Sequence, residues 1–114
     1  MRNRVLALPE VRRYFADLIR VLYENEYFSF EDDAVAYVTE LFADIEKNLP
    51  TKLRKPAPEH FDAYGKDMYY ATFRKNRRTQ WYVFFTVYDE TATDTRTFLI
   101  RYVSNNHMVA QYLL

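Results

Sequence analysis

A chain of 114 residues, 49% hydrophobic and 28% charged, has room for one compact domain spanning 1–114 and no second one. The single glycine, Gly65, excludes Walker and Rossmann phosphate loops, and the lack of cysteine removes disulfides, thiolate metal sites and cysteine nucleophiles. Formal net charge is zero, but residues 1–50 carry six Lys/Arg against ten Asp/Glu, and residues 51–114 carry ten against six, with most of the basic excess between Lys52 and Arg78.

Residues 2–8 are enough for an edge strand and no more. Pro9 follows where a first-turn proline is tolerated, because the N–H it lacks has no helical partner there. Val11, Tyr14, Phe15, Leu18, Val21 and Leu22 recur at spacings of three and four, which predicts a helix ending between Glu24 and Tyr27. A second start follows at Ser29-Phe30-Glu31-Asp32, with the Ser29 hydroxyl offered as a cap and the acids facing the positive helix end. Ala34, Val38, Leu41, Phe42, Ile45 and Leu49 carry that helix to a stop at Pro50. The short link between the two helices predicts an antiparallel hairpin.

Residues 51–58 hold three basic residues and two prolines and read as an irregular connector. Past Gly65 the period changes to that of strands. Segments 67–75, 80–88 and 96–103 are rich in aromatic and β-branched residues, and the polar turns 76–79 and 89–95 join them into a three-stranded antiparallel meander. The middle strand is apolar almost throughout, which suits a central position with one face under the helices. Residues 104–114 form a short C-terminal tail with a turn and a half-helix. The expected fold is α+β: short N-terminal strand, antiparallel helix hairpin, three-stranded antiparallel meander, tail. No apolar run approaches the ~20 residues of a membrane span. The apolar stretch 5–8 falls short of the ~7 residues of a secretory core, so a cytoplasmic protein with no membrane partner is expected.

This order of elements resembles the RelE/ParE superfamily, the small toxins of bacterial type II toxin-antitoxin modules, over nearly the whole chain. The similarity is carried by residues 5–15 with Pro9-Glu10 leading into the first helix, and by Leu53-Arg54-Lys55-Pro56-Ala57-Pro58. It continues through Phe73-Arg74-Lys75, residues 81–89, residues 98–103 and the His-containing tail. The resemblance implies a toxin-like component acting either on the translation machinery, by cleaving mRNA in the ribosome, or on DNA gyrase. It also implies a cognate antitoxin as partner and no cofactor, and it leaves a homodimer open. Fold alone does not choose between the targets. Two other classes stand beside it: a non-catalytic protein-interaction module on the same scaffold, and an unrelated small α+β domain.

Metal-independent RNA cleavage needs a base for the 2′-hydroxyl, an acid for the leaving 5′-oxygen and cations for the phosphate charge. His107 is the candidate acid, because imidazole exchanges protons near neutrality. Arg74 is the candidate phosphate ligand, since the guanidinium fork binds phosphate through two hydrogen bonds, and it lies where the resemblance places an arginine. Tyr112 is a candidate for orienting a base or phosphate. Lys52, Arg54, Lys55, Lys75, Arg77, Arg78 and Arg101 are the candidate nucleic-acid-binding cations. Strand alternation puts Arg101 on a face with Leu99 and Val103. Tyr82, Tyr70 and Thr72 stand where the ribonuclease pattern of the superfamily has basic residues. The two histidines, His60 and His107, form no metal-ligand motif, so no metal is expected. The electrostatic expectation is positive potential pooled on one concave side of the sheet, opposite the acidic helices.

Overall fold

The structure, a computed structural model, describes residues 1–113 without the Ala110 side chain; Leu114, the last residue of the predicted tail, lies outside them. β1 (Arg2–Ala7) leads through Leu8 into α1 (Pro9–Glu24), and α2 (Glu31–Asn48) follows. A 3-10 turn at Leu49–Thr51, the two-residue strand β2 (Lys55–Pro56) and a second 3-10 turn at Glu59–Phe61 make up the connector. β3 (Tyr69–Arg74), β4 (Gln80–Glu90) and β5 (Thr95–Asn105) form the meander, and α3 (Asn106–Val109) with a 3-10 turn at Ala110–Tyr112 ends it. The α+β class and the helix hairpin are as the sequence predicts.

The sheet is larger than a meander. Its five strands run in the order β1-β5-β4-β3-β2. β1 pairs parallel with β5, Arg2 opposite Thr95 through Ala7 opposite Ile100, while the other neighbours are antiparallel. Among the described residues, no helix is long and apolar enough to cross a membrane.

Both faces of the sheet carry a core. On the helix side, Val11, Phe15 and Leu18 of α1 and Val38, Leu41 and Ile45 of α2 meet Phe73, Trp81, Val83, Phe85, Phe98 and Ile100. On the other side, Phe61, Met68, Phe84 and Val109 form a second cluster, flanked by Tyr70, Tyr82 and Tyr102. The connector and the C-terminal turn therefore cover part of the face that the helices leave. This is why β4 is apolar on both sides.

Three local expectations are corrected. α2 is entered through Phe30 with no side-chain cap, so the Ser29 hydroxyl does not serve as one; Glu31, Asp32 and Asp33 in the first turn supply the favourable charge. β2 gives the connector one regular pairing, Lys55 opposite Tyr70 and Pro56 opposite Tyr69. Finally, β4 and β5 shift register between Phe84, which faces Tyr102, and Phe85, which faces Ile100. Arg101 is the extra residue of this bulge. It stays on the outward face, donating to Thr86 Oγ1 at 2.8 Å and Tyr88 Oη at 2.7 Å, whereas Val103 turns into the helix-side core.

α1 ends in a Schellman arrangement. Tyr27 N–H donates to Leu22 O at 3.0 Å and Glu26 N–H to Tyr23 O at 3.1 Å, with Glu26 left-handed at φ 61°. Glycine takes that conformation without the Cβ clash, so Glu26→Gly is expected to stabilise the fold by about 0.5–1 kcal/mol, read as a raised urea midpoint. The motif also turns Tyr27 towards the tip of the β3–β4 hairpin, where it lines a cleft.

Candidate nucleic-acid interface

The β3–β4 hairpin is built by its own side chains. Asn76 Oδ1 accepts from the Arg78 and Thr79 N–H groups at 2.8 and 2.9 Å, an Asx-type turn. Arg74 folds back over the tip, donating through Nε to Asn76 O at 3.2 Å and through Nη2 to Arg77 O at 3.4 Å. It thus organises the turn and projects Arg77 and Arg78 outward, both exposed.

The C-terminal turn is clamped to this tip by Asn106. Its Oδ1 accepts from Gln80 N–H at 2.9 Å and its Nδ2 donates to Arg78 O at 3.1 Å. Asn105 Oδ1 accepts from His107 N–H at 3.0 Å, which starts α3. Together these bonds place His107 beside Arg77, Arg78, Asn76, Thr79 and Tyr27 around an open cleft of about 650 Å³. Asn106→Ala removes both bonds and leaves the part-buried Gln80 N–H without its acceptor. The expected cost is about 1–3 kcal/mol, measurable by urea denaturation.

The remaining predicted cations extend from this cleft along the outer side of β3. β2 covers β3 only at Tyr69 and Tyr70, so residues 71–74 have no strand on that side. Lys52 Nζ lies 4.7 Å from the Phe73 ring centroid and the Arg54 guanidinium 4.8 Å from that of Tyr69, while Lys55 sits in register with Tyr70. Six strand residues span roughly 17–20 Å, which sets the length of this basic ridge. Among the described residues, Lys52, Arg54, Lys55, Arg74, Arg77 and Arg78 have no carboxylate at ion-pair distance. Lys75 is different: its Nζ is 3.8 Å from Glu40 Oε2 and 5.2 Å from the Tyr37 ring centroid.

The electrostatic expectation is therefore corrected in place and in surroundings. The cations line an edge of the sheet and a hairpin tip rather than a concave face. α2 lies beside them rather than opposite, because Tyr37 and Glu40 lean onto Trp81 and Lys75. Arg101 stands apart, separated from β3 by β4, with two of its donors committed to Thr86 and Tyr88. The outward rows of β3 and β4 hold Tyr70 and Tyr82, rings 6.0 Å apart, with Thr72 in register with Tyr82, so these three positions contribute no cation to that face.

The three residues proposed to act together in catalysis are not brought together. Tyr112 stacks on His60, ring centroids 3.6 Å apart and planes 8° apart, and meets Phe61 edge-on at 6.3 Å. It lies at the margin of the second core through Phe61, whereas the cleft at His107 opens towards Trp81 and the helices. What assembles is His107 with Arg77 and Arg78, plus Tyr27, Asn76 and Asn106, which the sequence did not single out. Asn76 carries a legible turn signal; the contacts of Asn106 and Tyr27 cross the fold and leave none. Among the described residues, no three His, Cys, Asp or Glu side chains gather at ligand distance.

A second concavity, about 350 Å³, opens past the end of β1, where β5 loses its outer neighbour. Leu8, Val11, Tyr14, Tyr64, Arg101 and Tyr102 are among its lining residues. Tyr64 and Tyr102 stack at 3.9 Å, and burial first, then the neighbouring phenols of Tyr102 and Tyr37, push Tyr14 up to about 12. Gly65 is required here: a Cβ would stand 2.7 Å from Arg101 Cδ.

Comparison of the chain with protein-family models, with curated proteins and with solved structures finds no match.

Proposed function

We propose that this protein is a RelE/ParE-like toxin component that binds RNA along the outer edge of β3 and cleaves it in the cleft at the hairpin tip, with a cognate antitoxin as its silencing partner. The observation that carries this reading is the row of six cations, Lys52, Arg54, Lys55, Arg74, Arg77 and Arg78, none at ion-pair distance from a carboxylate among the described residues, running into the cleft that holds His107. The order of strand, helix hairpin, basic connector, meander and short tail supports the same assignment. In the cleft, Arg77 and Arg78 bind the phosphate and stabilise its growing charge, and His107 protonates the leaving 5′-oxygen while water takes up the 2′-hydroxyl proton.

The seat of Tyr112 on His60 favours a second reading, a non-catalytic interaction module on the same scaffold. Salt dependence and growth separate the two. If all six cations meet phosphates of a single strand, log affinity falls against log salt with a slope of about −4. Affinity for a labelled RNA oligonucleotide that stays flat between about 50 and 200 mM salt overturns RNA binding through this edge. Induction of the chain in a bacterial host is expected to stop growth with translation failing before replication. Replication failing first points to gyrase, and unimpaired growth points to the interaction module.

A further inference from the structure

The cleft at the hairpin tip continues inward. A third concavity, of about 390 Å³, shares Tyr27, Asn76, Thr79 and His107 with it and runs between the helix hairpin and the sheet. Its volume falls in the ~300–1,000 Å³ range of small-molecule sites. It carries no charged residue apart from the shared His107: Leu18, Val21 and Leu22 of α1 form one wall, with Phe28, Tyr37 and Trp81 among the other lining residues. Tyr37 is fixed there by accepting from Trp81 Nε1 at 3.0 Å and by packing on Phe28 at 5.5 Å. A slot walled by aliphatic and aromatic side chains thus adjoins two exposed arginines.

Resting on the RNA reading above, we propose that this slot takes one nucleobase of the bound strand, extruded from its neighbours, while Arg77 and Arg78 hold the adjoining phosphate. The juxtaposition fits one ligand chemistry, a planar base joined through a ribose to an anion. An apolar ligand leaves the arginines unused, and an inorganic anion leaves the slot empty. Unpaired bases are recognised in this way because every base has a face to stack and a single strand leaves it free. Asn76 and Asn105 spend their Oδ1 atoms on backbone N–H groups, which leaves their Nδ2 groups as donors for the acceptor atoms that every base carries on its edge.

Trp81 is the single tryptophan and lines the slot, so its fluorescence reports occupancy. Adenosine monophosphate, adenosine and ribose 5-phosphate are titrated at constant ionic strength into the protein and into Tyr27→Ala and Arg78→Ala. Tyr27 is 71% exposed, so its removal leaves folding intact. Adenosine monophosphate is expected to quench Trp81 saturably and to bind about 5- to 150-fold more tightly than ribose 5-phosphate, the range of one stacked base. Tyr27→Ala is expected to lower affinity for adenosine monophosphate and adenosine at least 5-fold and leave ribose 5-phosphate unchanged. Arg78→Ala is expected to weaken both phosphate-bearing probes and spare adenosine. Equal affinity for the nucleotide and the ribose phosphate, or no loss in Tyr27→Ala, overturns the slot. If an RNA oligonucleotide still binds with a steep salt slope in that case, the function reading survives without it; if RNA does not bind, both fall.

Discussion

His107→Ala is expected to slow RNA cleavage by about 100- to 10,000-fold, the usual contribution of a general acid-base group. Folding is expected to change by no more than about 0.5 kcal/mol, because the side chain is exposed and the hydrogen bond that starts α3 uses the His107 backbone N–H. Tyr112→Phe is the informative companion. Its ring packs on His60 and Phe61 away from the cleft, so the variant keeps its rate. Single-turnover cleavage of a labelled message on ribosomes measures both. An unchanged rate in His107→Ala with RNA binding intact removes His107 from the chemistry and leaves a protein that binds without cutting. A loss in Tyr112→Phe matching that in His107→Ala contradicts the separation of the two side chains.

The helices were legible because each buries one stripe against the sheet, and a stripe leaves its period in the sequence: Val11, Phe15 and Leu18 in α1, then Ala34, Val38, Leu41 and Ile45 in α2. β4 was legible for the opposite reason, having no polar face to show. What escaped depends on pairings between distant segments. Nothing in residues 2–7 announces a parallel partner more than ninety positions away. Two prolines hid the two-residue β2. The bulge at Arg101 has no glycine or turn residue to mark it, and one extra residue sends Val103 to the face opposite the one that alternation assigns.

The candidate site divides along the same line. Arg77 and Arg78 were legible because a hairpin tip exposes what it carries. Their neighbour His107 was chosen for its chemistry, but the bonds that deliver it to them belong to Asn106 and span 26 and 28 residues. Tyr112 was offered because a phenol can orient a base or phosphate, and only five positions separate it from His107. The short turn of α3 and the 3-10 turn after it are enough to carry the phenol round to the other side of the sheet. Nearness in the chain is a poor guide where a strand has just ended.

Phe61→Ala is expected to cost about 3–5 kcal/mol. Phe61 is 1% exposed, stacks on Phe84 at 4.4 Å and meets His60 edge-on at 5.0 Å. The connector has little else to hold it: β2 pairs over two residues, and the 3-10 turn at Glu59–Phe61 is a single turn. With a urea slope of about 2 kcal/mol/M for a domain of this size, the midpoint is expected to fall by about 1.5–2.5 M. Phe61→Leu keeps most of the volume and should cost under about 1.5 kcal/mol, so it remains measurable if the alanine variant fails to fold. Should Phe61→Ala lose less than about 1 kcal/mol, the second cluster would be a surface patch rather than a core. The connector would then lack an anchor, and Lys52, Arg54 and Lys55 would have no fixed place beside β3. Stability of this one ring and the geometry of the basic ridge are thus the same question, because a row of cations keeps its spacing only if the segment bearing half its charges is held.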